Sequence, residues 1–300
     1  MGKIRIAVAG YGNIGKHAAK AVMAANDMEL AGVIRREGAK NKPLQNVNFI
    51  DEDSDISSLG KVDAVLLCKP TRQIEEYAKK YLSQGINTVD SFDIHNSITA
   101  LRKSLDTVAK KHNAAAIIAA GWDPGSDSVV RALLEACAPV GITYTNFGPG
   151  LSMGHSVVAR SKQGVADALS LTIPLGTGIH RRMLYIQLEH GANIDEVTKE
   201  IKADDYFRHD EVHIIQVEDV KSLADTGHGV LMTRKGRSSA SDNQLFTFEM
   251  RINNPALTAQ VMVSCARASM KQAAGAYTMI EIPPIDLLEG DKEDLISKLV

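Results

Sequence analysis

Cysteine is scarce in this chain. Cys68, Cys137 and Cys265 are far apart and odd in number, so they form neither a disulfide framework nor a CxxC metal knuckle. A reducing cytoplasm is the simplest setting. Aromatic residues make up 5% of the chain and include one tryptophan. Excess charge is also missing: 34 Lys+Arg against 36 Asp+Glu leave a formal net charge of -2. That balance excludes a broad cationic face for nucleic acid or an anionic membrane. No apolar run approaches the roughly 20 residues that span a bilayer. The early strand-like run Ile4–Ala9 leads straight into glycines, which is not a signal-peptide pattern. Ile6 stands where an N-myristoylation motif wants Ser or Thr. There is no P-loop GK[ST], no serine nucleophile elbow and no HExxH. His209 and His213 are four apart, but in a strand-like segment, so no metal is expected.

What is present is a 44% hydrophobic share over 300 residues, enough for two domains or one large α/β domain with an addition. Over the first 120 residues two periods alternate. Strand signals at Ile4–Ala9 and at residues 29–34, 62–68, 86–89 and 115–119 are separated by helical patterns at 17–25, 72–83 and 97–111. This alternation predicts βαβ units around a parallel sheet covered on both faces. Beyond about residue 140 the pattern changes. Strands are expected at 211–220 and 244–252, a helix at 195–203, and loop across the glycine-rich stretch 222–242, which together read as an α+β region. A small-residue helix at 256–274 and a strand at 277–282 follow, then an acidic tail from Asp286 that ends in a short amphipathic helix. The expected division is 1–120 plus 256–300 against 121–255.

Gly10-Tyr11-Gly12-Asn13-Ile14-Gly15 is a GxGxxG between a strand and a helix. Its first glycine permits the tight turn, its second lets backbone N–H groups approach a pyrophosphate, and its third lets helix and strand pack closely. Where NAD sites usually place an acid, residues 33–34 run into Arg35-Arg36. Two guanidiniums match a 2′-phosphate by charge and fork geometry, which favours NADP over NAD; the plain alternative is a solvated basic turn beside Glu37.

Cys68-Lys69-Pro70-Thr71 follows the next core strand, at the edge where open α/β sheets hold ligands. It is expected to line the nicotinamide side through its backbone. Asp90-Ser91-Phe92-Asp93 and Gly121-Trp122-Asp123-Pro124-Gly125 follow two further strands. Asp93 and Asp123 could converge on one cationic amine, while capping is the ordinary role for such acids, Asp90 included. Trp122 is either a substrate contact or a packing anchor. The loop FGPGLSMGH at 147–155 suits anion binding or a turn between domains. Arg181-Arg182 with Thr172 would form a carboxylate clamp, or remain a surface pair. His228 sits in TGHG, residues 226–229, a loop suited to a ligand contact.

Taken together, GYGNIG, Arg35-Arg36, DSFDIH at 90–95, GWDPG at 121–125, FGPGLSMGH, TGHG and Asn253-Asn254-Pro255 resemble the meso-diaminopimelate dehydrogenase family. GWDPG and FGPGLSMGH, in that order after the glycine motif, are the specific part. The resemblance implies an α/β fold: a Rossmann dinucleotide-binding domain completed by the C-terminal segment, with a second α+β domain for substrate binding and dimerisation. It implies NADP as cofactor and a homodimer. The reaction would be reversible oxidative deamination at the D-centre of meso-2,6-diaminopimelate, in lysine biosynthesis, yielding L-2-amino-6-oxopimelate and ammonia. Gly10, Tyr11, Gly12, Asn13, Ile14, Arg35, Arg36, Cys68, Lys69, Pro70, Thr71, Ser91, Phe92 and Asp93 then fall on cofactor positions. Asp93 and Asp123 become the catalytic candidates; Asp93, Trp122, Asp123, Phe147, Met153, Gly154, Thr172, Arg182, His228 and Asn254 fall on substrate positions. The chain departs from longer members in a shorter stretch between Arg182 and His228, and shorter members sometimes accept other D-amino acids. The alternatives are another NADP-dependent reductase of lysine or aspartate metabolism, such as a dihydrodipicolinate reductase, and a non-catalytic NADP(H)-sensing protein.

Overall fold

β1 (Ile4–Ala9) explains why the early apolar runs show no polar alternation. Ile6 and Val8 join one hydrophobic cluster and Ala7 and Ala9 another, and all four are fully buried. A strand covered on both faces has no polar side to display. It is followed by β2 (Met28–Arg35), β3 (Phe49–Asp51), β4 (Ala64–Leu67), β5 (Asn87–Asp90) and β6 (Ala115–Ile118). These strands pair in parallel in the order β3-β2-β1-β4-β5-β6, and the late strand Gly275–Thr278 extends the sheet beyond β6. The order reverses between β1 and β4, so their carboxyl ends frame the crevice where such sheets bind ligands.

The structure is a computed structural model that describes residues 2–36, 44–223 and 227–300. It forms two units, Met1–Ala132 with Pro255–Val300, and Leu133–Asn254. In the first unit, α1 (Asn13–Ala24) and the returning helix Asn254–Ser269 cover one face of the sheet with Ala18, Val22, Met262, Val263 and Ala266. On the other face lie α2 (Ile74–Leu82) and α3 (Ile98–Lys111), with Ala78, Leu82, Leu101 and Leu105. Arg267 on the returning helix grips Asp27, ahead of β2, at 2.5 and 2.8 Å, and this holds the Asp27 carboxyl below its usual range. Unit one ends inside α4 (Ser126–Cys137), later than the boundary expected at 120/121. The GWDPG loop belongs to the first unit; just ahead of it, Ala120 N–H donates to the Asp90 carbonyl at 2.7 Å.

The second unit holds β7 (Val140–Phe147), β8 (Gly150–Leu151), α5 (Met153–Arg160), β9 (Val165–Gly176), β10 (Ile179–Leu188), α6 (Ile194–Ala203), β11 (Glu211–Gln216), β12 (His228–Ser238) and β13 (Ser241–Ile252). One sheet runs β11-β10-β9-β8 and the other β13-β12-β7. Val165, Ala168, Leu184 and Ile186 of the first sheet pack with Ala159 of α5 and Val197 and Ile201 of α6.

Four expectations are corrected here. The glycine-rich stretch expected as loop contains β12, one of the longest strands. Its glycines serve close approach: a Cβ on Gly236 would stand 2.4 Å from the Val140 carbonyl oxygen across the ladder. The strand expected at 211–220 stops at Gln216. The late strand stops at Thr278, where a capping box between Thr278 and Glu281 turns the chain into a short 3₁₀ segment; the small-residue helix before it ends at Ser269.

Candidate active site

The glycine motif has the form a dinucleotide needs. Gly10 has φ +104, and a Cβ there would meet the Cys68 carbonyl oxygen at 2.1 Å; one on Gly15 would meet the Gly10 oxygen at 2.0 Å. Gly12, at the N-cap of α1, faces open space, with nothing within 4 Å of such a Cβ. Two glycines thus close the turn and the third leaves the helix N-terminus approachable. The first turn carries no acidic side chain to compete with an anion. Asn13 is exposed and Ile14 half-buried beside this cradle. At the end of β2 the Arg35 guanidinium lies 4.6 Å from the Phe49 ring centre, and Tyr11 meets the same ring edge-on at 5.1 Å. Arg36 is exposed beside it. Glu37 lies outside the described residues.

The loop after β4 is held from below. Lys69 is nearly buried in an ion pair with Glu52 and lies 4.4 Å from the Tyr77 ring centre, so its ammonium is engaged in structure. Burial pushes the Cys68 thiol up to about 12, which rules out a thiolate nucleophile near neutral pH. Thr71 Oγ1 donates to Asp93 Oδ1 at 2.6 Å, tying this loop to the one after β5. Asp90 is fully buried and its Oδ1 accepts from the N–H groups of Phe92 (2.9 Å) and Ala119 (3.1 Å). It ties the loop after β5 to the end of β6, while burial raises its pKa to about 6.

Asp123 is bonded to Arg131 of α4 at 2.6 Å, with 11% of its side chain exposed. Asp127, in the first turn of α4, is fully buried and neither carboxyl oxygen meets hydrogen-bond geometry. Burial, then the charge on Asp123, raise it to about 7, against weaker opposing pulls from Arg131 and the Trp122 indole. Arg131 and Asp127 escaped the sequence reading, since each is an ordinary polar position on a helix. Trp122, next to Asp123 in sequence, is buried.

In the second unit, strand alternation separates the two arginines. Arg181 turns to an exposed ion pair with Glu211. Arg182, opposite buried Thr172 in the β9–β10 ladder, donates to Thr172 Oγ1 and to Asp210 Oδ2, the latter at 2.7 Å. Of the residues expected as a clamp, the ladder brings Arg182 and Thr172 together and leaves Arg181 apart. Phe147 N–H donates to His180 Nε2 at 2.8 Å. His228 opens β12 and its Nδ1 accepts from Gly229 N–H at 2.8 Å. Burial lowers the pKa of His228, the backbone hydrogen bond to Gly229 opposes this, and the Arg182 and His180 charges add to the lowering. Gly154 lies on α5, 3.4 Å from the Tyr206 ring by its would-be Cβ. Asn254 begins the returning helix. Thr226 and the Met153 side chain lie outside the described residues.

Residues 4–119 match a family model described as oxidoreductase family, NAD-binding Rossmann fold, and residues 121–181 match the diaminopimelic acid dehydrogenase C-terminal domain. A meso-diaminopimelate D-dehydrogenase of Bacteroides fragilis is 59% identical over 300 residues, covering all of both chains. The chain belongs to the meso-diaminopimelate D-dehydrogenase family. A second member, from Acetivibrio thermocellus, is 34% identical over 99% of this chain and 98% of its own. Among solved structures, the diaminopimelate dehydrogenase of C. glutamicum in complex with diaminopimelate superposes with TM-score 0.87 at 26% identity, covering all of both chains. An engineered D-amino acid dehydrogenase bound to NADP+ gives TM-score 0.83 at 26% identity, over 99% of this chain and 100% of the other. A dihydrodipicolinate reductase from Paenisporosarcina sp. TG-14, at 14% identity and TM-score 0.51 over 93% of this chain and 98% of its own, shares the fold alone. The family is one of oxidoreductases that use NADP and act on an amino acid, and the α/β fold with a Rossmann domain agrees with it. No helix of the described residues is long and apolar enough to cross a membrane.

Proposed function

We propose that this chain catalyses reversible NADP-dependent oxidative deamination at the D-centre of meso-2,6-diaminopimelate, giving L-2-amino-6-oxopimelate and ammonia. The observation that carries the reading is the full-length identity of 59% to a meso-diaminopimelate D-dehydrogenase, together with an open glycine cradle at Gly12. The residues from Gly10 to Ile14 would hold the pyrophosphate, Arg35 and Arg36 the 2′-phosphate, and the loops carrying Cys68–Thr71 and Ser91–Asp93 the nicotinamide side. When bound, NADP+ supplies the acceptor for the hydride that leaves the substrate α-carbon.

Asp93 and Asp123 act on the reacting amine. The substrate nitrogen enters as an ammonium, gives up one proton, and becomes cationic again as the C–H bond breaks and C=N forms. Carboxylates placed beside it stabilise both cationic stages; water then replaces the nitrogen, releasing ammonia. Thr71 orients Asp93 and Arg131 orients Asp123, so each carboxylate is held before substrate arrives. Trp122, Phe147 and Gly154 are assigned to the substrate wall, and Arg182, Thr172, His228 and Asn254 to the carboxylate and the L-centre. A cavity of about 420 Å³ opens beside His228, with Pro149, Leu171, Val230 and Met250 in its wall, an apolar surface that suits a methylene chain.

The same reading places the enzyme in the cytoplasm as a homodimer. Phe246 and Phe248 lie on one side of β13 and stay half-buried in the single chain, which supports a second copy covering them. NADPH formation on mixing the protein with NADP+ and meso-diaminopimelate tests the function. Binding of NADPH without its production or consumption would instead support the sensing alternative.

A further inference from the structure

Arg182 does not wait for its ligand alone. Its Nε holds Asp210 Oδ2 at 2.7 Å and its Nη1 holds Thr172 Oγ1. The same Asp210 oxygen lies 3.3 Å from His155 Nε2, and His155 Nδ1 is 2.8 Å from Ser152 Oγ. Asp210 is therefore fixed from two sides, yet a quarter of its side chain stays exposed. Among the described residues no hydrogen bond is made to its Oδ1.

This is a poor arrangement for binding a carboxylate and nothing else. An anion beside the guanidinium cancels part of the attraction that a second anion would feel. It is a good arrangement for an α-amino acid, which carries a carboxylate and an ammonium on one carbon. A cation and an anion held side by side match both charges, and each protein charge stays compensated before and after the ligand binds. Resting on the reading that Arg182 and Thr172 take the distal carboxylate, we propose that Asp210 is a specificity-determining residue whose Oδ1 accepts the ammonium of the distal L-centre. Asp210 then separates meso-diaminopimelate from D-amino acids of equal length that lack the second amine.

The test compares two substrates that differ by that amine, meso-diaminopimelate and D-2-aminopimelate. Asp210→Asn keeps the size and a hydrogen-bond acceptor for Arg182 but removes the charge. Its kcat/KM for meso-diaminopimelate should fall about 10- to 100-fold, chiefly through KM, the range for one charge-assisted contact. Turnover of D-2-aminopimelate should change less than about threefold, which also shows that the variant is folded. Asp210→Glu, with the charge restored, should recover part of the loss for meso-diaminopimelate only. Equal losses for both substrates would mean that Asp210 only orients Arg182 and would overturn the proposal, as would no loss for either. Wild-type protein that turns over D-2-aminopimelate but not meso-diaminopimelate would overturn the functional reading, and the proposal with it.

Discussion

Replacing Asp127 with asparagine should make the protein more stable at neutral pH, by an amount that grows as the pH rises. Asp127 stands in the first turn of α4, where a carboxylate is normally favoured. Here the position is fully buried and its carboxyl oxygens lack well-formed hydrogen bonds. Burial first, and the neighbouring Asp123 charge second, raise its pKa from 3.8 to about 7. The folded protein therefore keeps a proton that the unfolded chain has already released. Over that interval stability falls by about 1.4 kcal/mol per pH unit, with a ceiling of about 4 kcal/mol once the folded group ionises too. Asparagine has no proton to lose, so the variant escapes this penalty. Urea unfolding of both proteins between about pH 5 and pH 7 should show their stability difference widening in the variant's favour by about 2–3 kcal/mol, then levelling off. Asp90 is raised in the same direction, but it is present in both proteins and cancels. A difference that is flat with pH, or that grows toward acid, would refute the burial argument.

Replacing Arg35 and Arg36 with serine should weaken NADP+ about 10- to 150-fold, the range for losing one charge-assisted phosphate contact, and weaken NAD+ far less; titration of both cofactors decides, and equal losses would reject the 2′-phosphate assignment. Asp123→Asn should lower deamination by about 100-fold while NADPH binding survives. Loss of soluble protein in that variant would instead mean that the Asp123–Arg131 contact is structural.

The first unit was largely legible because its strands carry their own signal. β1, β4 and β6 are buried on both sides and read as plain apolar runs, and the GxGxxG turn sits where β1 must meet α1. The second unit was harder to read for a physical reason. β12 contains Gly229 and Gly236 because neighbouring backbone comes too close for a side chain, and glycine in sequence reads as loop. β9 and β10 carry Ser170, Thr172, Arg181 and Arg182 among their apolar residues, so the hairpin has no clean alternation. At the candidate site, motifs or the family resemblance point to Asp93, Asp123, Arg182 and Thr172. No motif points to Arg131, Asp127 or Asp210, because an acid or arginine on a helix or turn signals nothing until a distance gives it a partner. Arg181 and Arg182 make the same point: only the pleat of β10 shows that one faces Glu211 and the other Thr172.

The claim that one centre of the substrate reacts and the other anchors has a direct stereochemical test. Hydride transfer needs the reacting carbon about 3–3.5 Å from nicotinamide C4 with its C–H bond aligned. With the L-centre held at the Arg182 side, a D-centre presents its hydrogen, whereas an L-centre in the reacting position would present its amine instead. The measurement is NADPH formation with meso-, L,L- and D,D-diaminopimelate under identical conditions. The account predicts rapid turnover of the meso isomer, weak turnover of D,D, whose distal centre misplaces its amine, and none of L,L; turnover of L,L comparable to meso would contradict it.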